Sequence, residues 1–128
     1  MSEPVRVLVV EDHPLNRELT EAILERAGYD VLAAADGETA LASVAAQRPD
    51  VIVLDVELPG ISGLEVVRRL KGDPVTRAIP VVALTAYAMV GDEERIRAAG
   101  CDDYLAKPIE RPKLLGAIAR ALGREALP

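Results

Sequence analysis

Phenylalanine and tryptophan are absent from the 128 residues, and Tyr29, Tyr87 and Tyr104 supply the only aromatic rings. A base-stacking platform for nucleic acid has almost nothing to be built from. Basic charge is in deficit as well: 15 Lys and Arg stand against 21 Asp and Glu, a net charge of -6. The electrostatic footprint of a nucleic-acid binder is therefore missing. Cys101 is the single cysteine and His13 the single histidine. An internal disulfide is excluded, and a thiolate or imidazole metal site lacks ligands. A Ser-His or Cys-His catalytic pair would rest on His13 alone. No uninterrupted apolar run approaches the ~20 residues of a membrane span. The opening Met1-Ser2-Glu3-Pro4 has neither the basic region nor the apolar stretch of a signal peptide. A reducing cytoplasm is the expected location. Lysine is scarce too, present only as Lys71, Lys107 and Lys113.

What is present is a core. Half the residues are hydrophobic and 28% are charged, a globular composition of a length that fits one domain, with its core over about 5–122. Val5 to Val10 is a β-branched apolar run, as expected of a strand buried on both faces. Pro14 opens a helix in which Leu15, Leu19 and Ile23 recur at helical spacing, and Gly28 ends it. Val31–Ala34 reads as a second strand. Asp36 then caps a helix to about Arg48, with Leu41, Val44 and Ala45 expected to face inward. Val51–Leu54 forms a third strand ending in Asp55, followed by the turn Leu58-Pro59-Gly60. Ser62-Gly63-Leu64-Glu65 is a capping box for a third helix, with Leu64, Val67 and Leu70 inward. A fourth strand, Pro80–Leu84, ends in Thr85. The fourth helix, Gly91–Ala99, has a thin apolar stripe of Ile96 and alanines. A short strand, Asp103–Ala106, and a last helix from Pro112 to about Leu122 complete the chain. Such alternation predicts an α/β fold: a parallel sheet covered by helices on both faces. No repeat, linker or output domain is apparent.

Ligands of an open parallel sheet bind beyond the carboxyl ends of its strands. There the chain places Glu11-Asp12, Asp55, Thr85 and Lys107-Pro108. Singly, each has a bland reading: a solvated turn, turn chemistry, β-branched filler, a solvated lysine. Their coincidence at one edge is what points to a site. Two carboxylates ~5 Å apart repel by roughly 3 kcal/mol at an effective dielectric of ~20. Such a cluster calls for a cation, and hard oxygen ligands suit Mg²⁺ rather than Zn²⁺. Mg²⁺ beside an aspartate suggests phosphoryl transfer, because an Asp carboxylate is a nucleophile that forms an aspartyl phosphate.

These residues match a family in combination: Glu11-Asp12, the D-x-x-x-P-G of Asp55 to Gly60, Leu84-Thr85-Ala86, and Tyr104-Leu-Ala-Lys107-Pro108. The chain resembles a receiver domain of a two-component response regulator, from Val5 to about Leu122. The stretch from Thr85 to Arg97, with Gly100-Cys101 after it, is similar to DivK-type stand-alone regulators. The resemblance implies a flavodoxin-like fold of five strands, in the order 2-1-3-4-5, and five helices. It implies that Asp55 accepts a phosphoryl group from a phosphohistidine of a histidine kinase or histidine phosphotransferase. Glu11, Asp12, Asp55 and the backbone carbonyl of Glu57 would hold Mg²⁺. Thr85 would bond a phosphoryl oxygen, Lys107 would pair with the phosphoryl group or a carboxylate, and Tyr104 would be the switch aromatic. The Lys107-Pro108 peptide would be cis. The fourth helix, fifth strand and fifth helix would present the surface read by a protein target, and Leu15, Glu18 and Leu19 of the first helix would meet the phosphoryl donor. The chain would be a phosphoacceptor rather than a turnover enzyme, monomeric or weakly dimeric when phosphorylated, with no nucleic acid or membrane partner. Glu57 and Tyr87 depart from the commonest residues at their positions, and Tyr87 is expected to shield the acyl phosphate.

Other readings compete. A haloacid dehalogenase-type phosphatase needs a second Asp two residues after the nucleophile, where this chain has Glu57. A flavodoxin-like cofactor binder would want a phosphate-cradling loop where Glu11-Asp12 stands. A receiver domain excised from a hybrid kinase, or a scaffold that takes no phosphate, keeps the same fold. His13 reads as a polar lead into the first helix and Cys101 as a small residue before a strand. Asp102-Asp103 reads as a solvated loop pair, and Arg68-Arg69 as the solvated face of the third helix.

Overall fold

The computed structural model describes residues 4–86 and 90–123. Five parallel strands run in the order β2-β1-β3-β4-β5: β1 (Arg6–Val10), β2 (Asp30–Ala34), β3 (Val51–Asp55), β4 (Val81–Thr85) and β5 (Asp103–Ala106). Between and after them come α1 (Pro14–Arg26), α2 (Gly37–Ala46), α3 (Gly63–Gly72), α4 (Val90–Ala99) and α5 (Arg111–Ala121). The flavodoxin-like order expected above is the one observed.

The period of two along each strand divides the core. Leu8, Val10, Ile52, Leu54, Val81 and Ala83 face α2, α3 and α4, meeting Val44, Val67, Leu70 and Ile96. Val7, Val9, Val51, Val53, Val82 and Leu84 face the other way, onto Leu24 of α1 and Leu114, Ala117 and Ile118 of α5. β1, β3 and β4 are buried from both sides, which is why their sequences read as unbroken apolar runs. Each fully buried Leu or Ile contributes about 1.5–3 kcal/mol.

Local chemistry sets the element ends. Gly28 follows the last turn of α1 at φ 96, a left-handed conformation that glycine adopts without strain. The Asp36 carboxylate accepts from Thr39 N–H at 2.7 Å, and that bond holds its pKa below the usual carboxylate value. Ser62 Oγ accepts from Glu65 N–H at 3.2 Å. Only half of the expected capping box forms, because the Glu65 carboxylate turns outward to Arg69 and Arg68. Both arginines are exposed, as the sequence indicates.

Some expectations are corrected. Ala45 is exposed, and Ala40 takes the inward place on α2. Leu15 and Leu19, expected to meet the phosphoryl donor, lie 70% and 53% exposed, while α1 turns Thr20 and Leu24 toward the sheet. Asp102-Asp103 is not a free solvated pair. Asp102 Oδ2 accepts from Val81 N–H at 2.8 Å and pairs with Lys71 at 3.0 Å. Asp103 opens β5 and pairs with Arg120 of α5 at 3.3 Å. Together they fasten the start of β5 to its neighbours.

Register now places the site. Val10 pairs with Ala34 and Leu54, Asp55 with Leu84, and Thr85 with Ala106. Glu11, Asp55, Thr85 and Lys107 therefore emerge side by side at one edge.

Candidate active site

Glu11, Asp55 and Thr85 are almost wholly buried, at 1%, 2% and 1% exposure, while Asp12 is exposed. Carboxylate oxygens of Glu11, Asp12 and Asp55 lie within 4.8 Å of one another. Lys107 Nζ donates to Glu11 Oε1 at 2.8 Å and to Asp55 Oδ2 at 2.7 Å. One ammonium thus faces three carboxylates, leaving the cluster with excess negative charge.

The titrations follow from that imbalance. Burial pushes the Glu11 carboxyl above its ordinary value, the adjacent Asp55 carboxyl adds to the shift, and Lys107 opposes it. Burial pulls the Lys107 ammonium down, but its bonds to Asp55 and Glu11 outweigh that, and its pKa lies above the ordinary lysine value. The Asp55 carboxylate is further fixed by Glu57 N–H, which donates to Oδ1 at 2.9 Å. Glu57 carries its own side chain outward, and its Oε1 accepts from Ala86 N–H at 3.2 Å. The segment after β3 is in this way tied to the segment after β4. Lys107 N–H donates to the Thr85 carbonyl at 2.8 Å, and the Lys107-Pro108 peptide is cis.

Three oxygen donors and one open side suit a hard divalent cation that keeps part of its water. Among the described residues, the Asp12 carboxylate has no hydrogen bond or ion pair and is the free donor of the cluster. Neutralising it should have a double signature. Asp12→Asn is expected to stabilise the metal-free fold by about 1 kcal/mol, by removing repulsion at a partly screened site. It is also expected to abolish the stabilisation by Mg²⁺, which for one site at a hundred times its dissociation constant is about 2.7 kcal/mol. Thermal unfolding with and without MgCl₂ reads both; a variant that still gains stability from Mg²⁺ as the wild type does overturns the assignment.

The model of the response regulator receiver domain matches residues 7–119. The chain belongs to that family. It is 46% identical over 120 residues to the polar-differentiation response regulator DivK of Brucella anthropi, covering 94% of this receiver and 98% of that protein. DivK of Brucella ovis is 45% identical over 117 residues, covering 91% and 95%. Among solved structures, a response regulator from Chloroflexus aurantiacus superposes with a TM-score of 0.91 at 37% identity, over 95% of this chain and all of that one. The receiver domain of the sensor histidine kinase PA1611 from Pseudomonas aeruginosa superposes with a TM-score of 0.87 at 40% identity, over 94% and 99%; that domain holds a magnesium ion in its active site cleft.

Every charged side chain singled out for the site lies at this receiver's strand edge. Tyr104 stands apart on β5, half-buried, with the Arg97 guanidinium 5.7 Å from its ring centroid. Partial burial, and after it Glu93, raise the pKa of its hydroxyl. Tyr87, expected to shield the site, lies outside the described residues. His13 is exposed and N-caps α1 without a side-chain bond. Burial first, then Asp102, pushes the Cys101 thiol up to about 11, so almost no reactive thiolate exists near neutral pH.

Two contributors were not apparent from the sequence. A Cβ on Gly63 would stand 2.2 Å from the Asp55 carbonyl oxygen, so only glycine lets α3 start against the end of β3. Its signal is a glycine inside the first helical turn, where most residues have better helix propensity. Arg17 donates from Nη1 to the Glu11 carbonyl at 3.0 Å. Its signal is an arginine one helical turn after the residue that caps α1.

Proposed function

We propose that this receiver takes a phosphoryl group onto Asp55 from a phosphohistidine and passes the signal on by protein contact. The carrying observation is the set of three carboxylates converging at the sheet edge with Lys107 bonded to two of them. An Asp55 oxygen attacks phosphorus, the P–N bond breaks, and its electron pair leaves with the imidazole nitrogen, which takes a proton. Lys107 offsets the charge of the phosphoryl oxygens, and Thr85, the last residue of the neighbouring strand, offers them its hydroxyl. Glu11, Asp12, Asp55 and the Glu57 carbonyl would hold Mg²⁺, which supplies charge neutralisation at those oxygens. Water later removes the group, so the protein is a phosphoacceptor and not an enzyme with turnover. Residues 7–119 act as one receiver unit, working in the cytoplasm; among the described residues, no helix is long and apolar enough to cross a membrane.

Incubation with acetyl phosphate and MgCl₂, followed by intact mass, tests this reading. One phosphoryl addition, absent when EDTA is present, is expected. A folded protein that gains no mass from acetyl phosphate or from a histidine kinase is instead a scaffold.

Partner contact is read from α1 and from α4. Leu19 lines a cavity of about 250 Å³ with Asn16, Lys107, Pro108 and Ile109, directly beside the site lysine. An apolar surface there fits the helical face that carries a donor histidine. Leu19→Asp is expected to slow phosphotransfer from a histidine phosphotransferase roughly tenfold, the size of one interface anchor. Uptake from acetyl phosphate should not change, and equal slowing with both donors would remove α1 from the docking face. On the output side, the buried residues among those of α4 whose side chains are described are Ile96 and Ala99. So small a buried face makes α4 a helix that can shift at low cost. Phosphorylation adds charge and acceptor oxygens next to Thr85, and shifts the α4-β5-α5 surface only by its differential interaction with two states.

A further inference from the structure

The cluster has one unexplained degree of freedom, the aim of Asp12. Glu11 is held on every side: its N–H donates to the Ala34 carbonyl at 3.1 Å, and its carboxylate accepts from Lys107 and, at 3.4 Å, from His13 N–H. Asp55 is held by Lys107 and Glu57. Among the described residues no group bonds the Asp12 carboxylate, so the backbone that carries it determines where the side chain starts and which positions it can reach. That backbone begins with the peptide unit joining Glu11 to Asp12. The Glu11 carbonyl is one end of the unit, and Arg17 Nη1 holds it at 3.0 Å. Arg17 is itself half-buried and anchored in α1, its own N–H donating to the His13 carbonyl at 2.9 Å.

We propose that Arg17 is a positioning residue: by fixing the plane of the Glu11–Asp12 peptide it aims the Asp12 carboxylate for divalent-cation binding. The inference rests on the metal reading given above. Geometry and charge make opposite predictions, which gives the test its sign. A guanidinium near the site repels a cation, so a purely electrostatic Arg17 weakens Mg²⁺ binding and its removal tightens it. A positioning Arg17 strengthens binding, and its removal loosens it, as removal of groups that orient metal ligands does by about tenfold or more.

Calorimetric titration of MgCl₂ into the wild type, Arg17→Ala and Arg17→Lys reads the difference, with metal-free thermal melts showing that each variant is folded. Arg17→Ala is expected to bind Mg²⁺ about tenfold more weakly. Arg17→Lys, which keeps the charge and one donor, should fall between it and the wild type. Phosphoryl uptake from acetyl phosphate by Arg17→Ala should return to the wild-type rate once Mg²⁺ is saturating, a rescue that general loss of structure would not show. Equal or tighter Mg²⁺ binding by Arg17→Ala overturns the proposal, as does a rate that saturating Mg²⁺ fails to restore. If Arg17→Ala does not fold, equal or tighter binding by Arg17→Lys overturns it alone. Absence of any binding by the wild type would instead overturn the metal reading on which it rests.

Discussion

Asp55→Asn is expected to end phosphoryl uptake while leaving the fold standing. The substitution exchanges one carboxylate oxygen for an amide nitrogen of similar size. The amide oxygen can still accept from Glu57 N–H, now 2.9 Å from Oδ1, and Lys107 retains Glu11 at 2.8 Å. The amide NH₂ then takes the place of Oδ2, 2.7 Å from Lys107 Nζ, so the ammonium must turn away from it toward Glu11, a local shift that leaves the strands in place. What disappears is the anionic nucleophile, and a neutral amide does not attack phosphorus. Loss of a group that forms the covalent bond lowers the rate by at least roughly a hundredfold, below detection for a reaction followed by mass. Glu11 is a poor substitute, because it is buried and bonded to Lys107. Intact mass with acetyl phosphate and MgCl₂ is the measurement. Uptake by Asp55→Asn at the wild-type rate would show that another side chain is the acceptor, and peptide mapping would name it.

How far such a site can be seen in advance depends on what kind of signal each residue leaves. The buried strands are legible because a strand covered on both faces has no polar alternation, as in Val51 to Leu54. Once strands and helices alternate, the strand-end residues share an edge, and Glu11, Asp55, Thr85 and Lys107 become neighbours without any knowledge of distance. Facing is harder. Ala45 has the helical spacing of a core stripe with Leu41 but is exposed, because spacing reports a stripe and not what lies opposite it. Asp102 reads as a loop residue because its partner, Lys71, is 31 residues upstream. Gly63 and Arg17 act through backbone atoms of Asp55 and Glu11, and a backbone partner leaves no residue type to recognise.

Lys107→Met should be the most destabilising change in the site, and its cost should depend on pH in a known direction. Lys107 is only 20% exposed and bonds two carboxylates whose side chains are 2% and 3% exposed. Methionine preserves the bulk of the stem and deletes the cation. Breaking a buried pair by removing one partner costs about 3–5 kcal/mol, and water at the open edge should bring this to about 2–3 kcal/mol at pH 7. In the wild type the folded Lys107 pKa lies above its unfolded value of 10.5, so its contribution is complete below that value and is lost as pH rises through the folded one. Glu11 has the same sense in a lower pH window. Its folded pKa lies above 4.5, so the folded state binds the extra proton, and stability falls as pH rises through that window. Without Lys107, the opposing pull on Glu11 is gone and its pKa rises further. A proton can then take the place of the ammonium as the solution is acidified. Urea denaturation at pH 7 and pH 5 should show a deficit at pH 7 that shrinks by at least about half at pH 5. A deficit of equal size at both values would mean that Lys107 stabilises the fold by packing and not by charge.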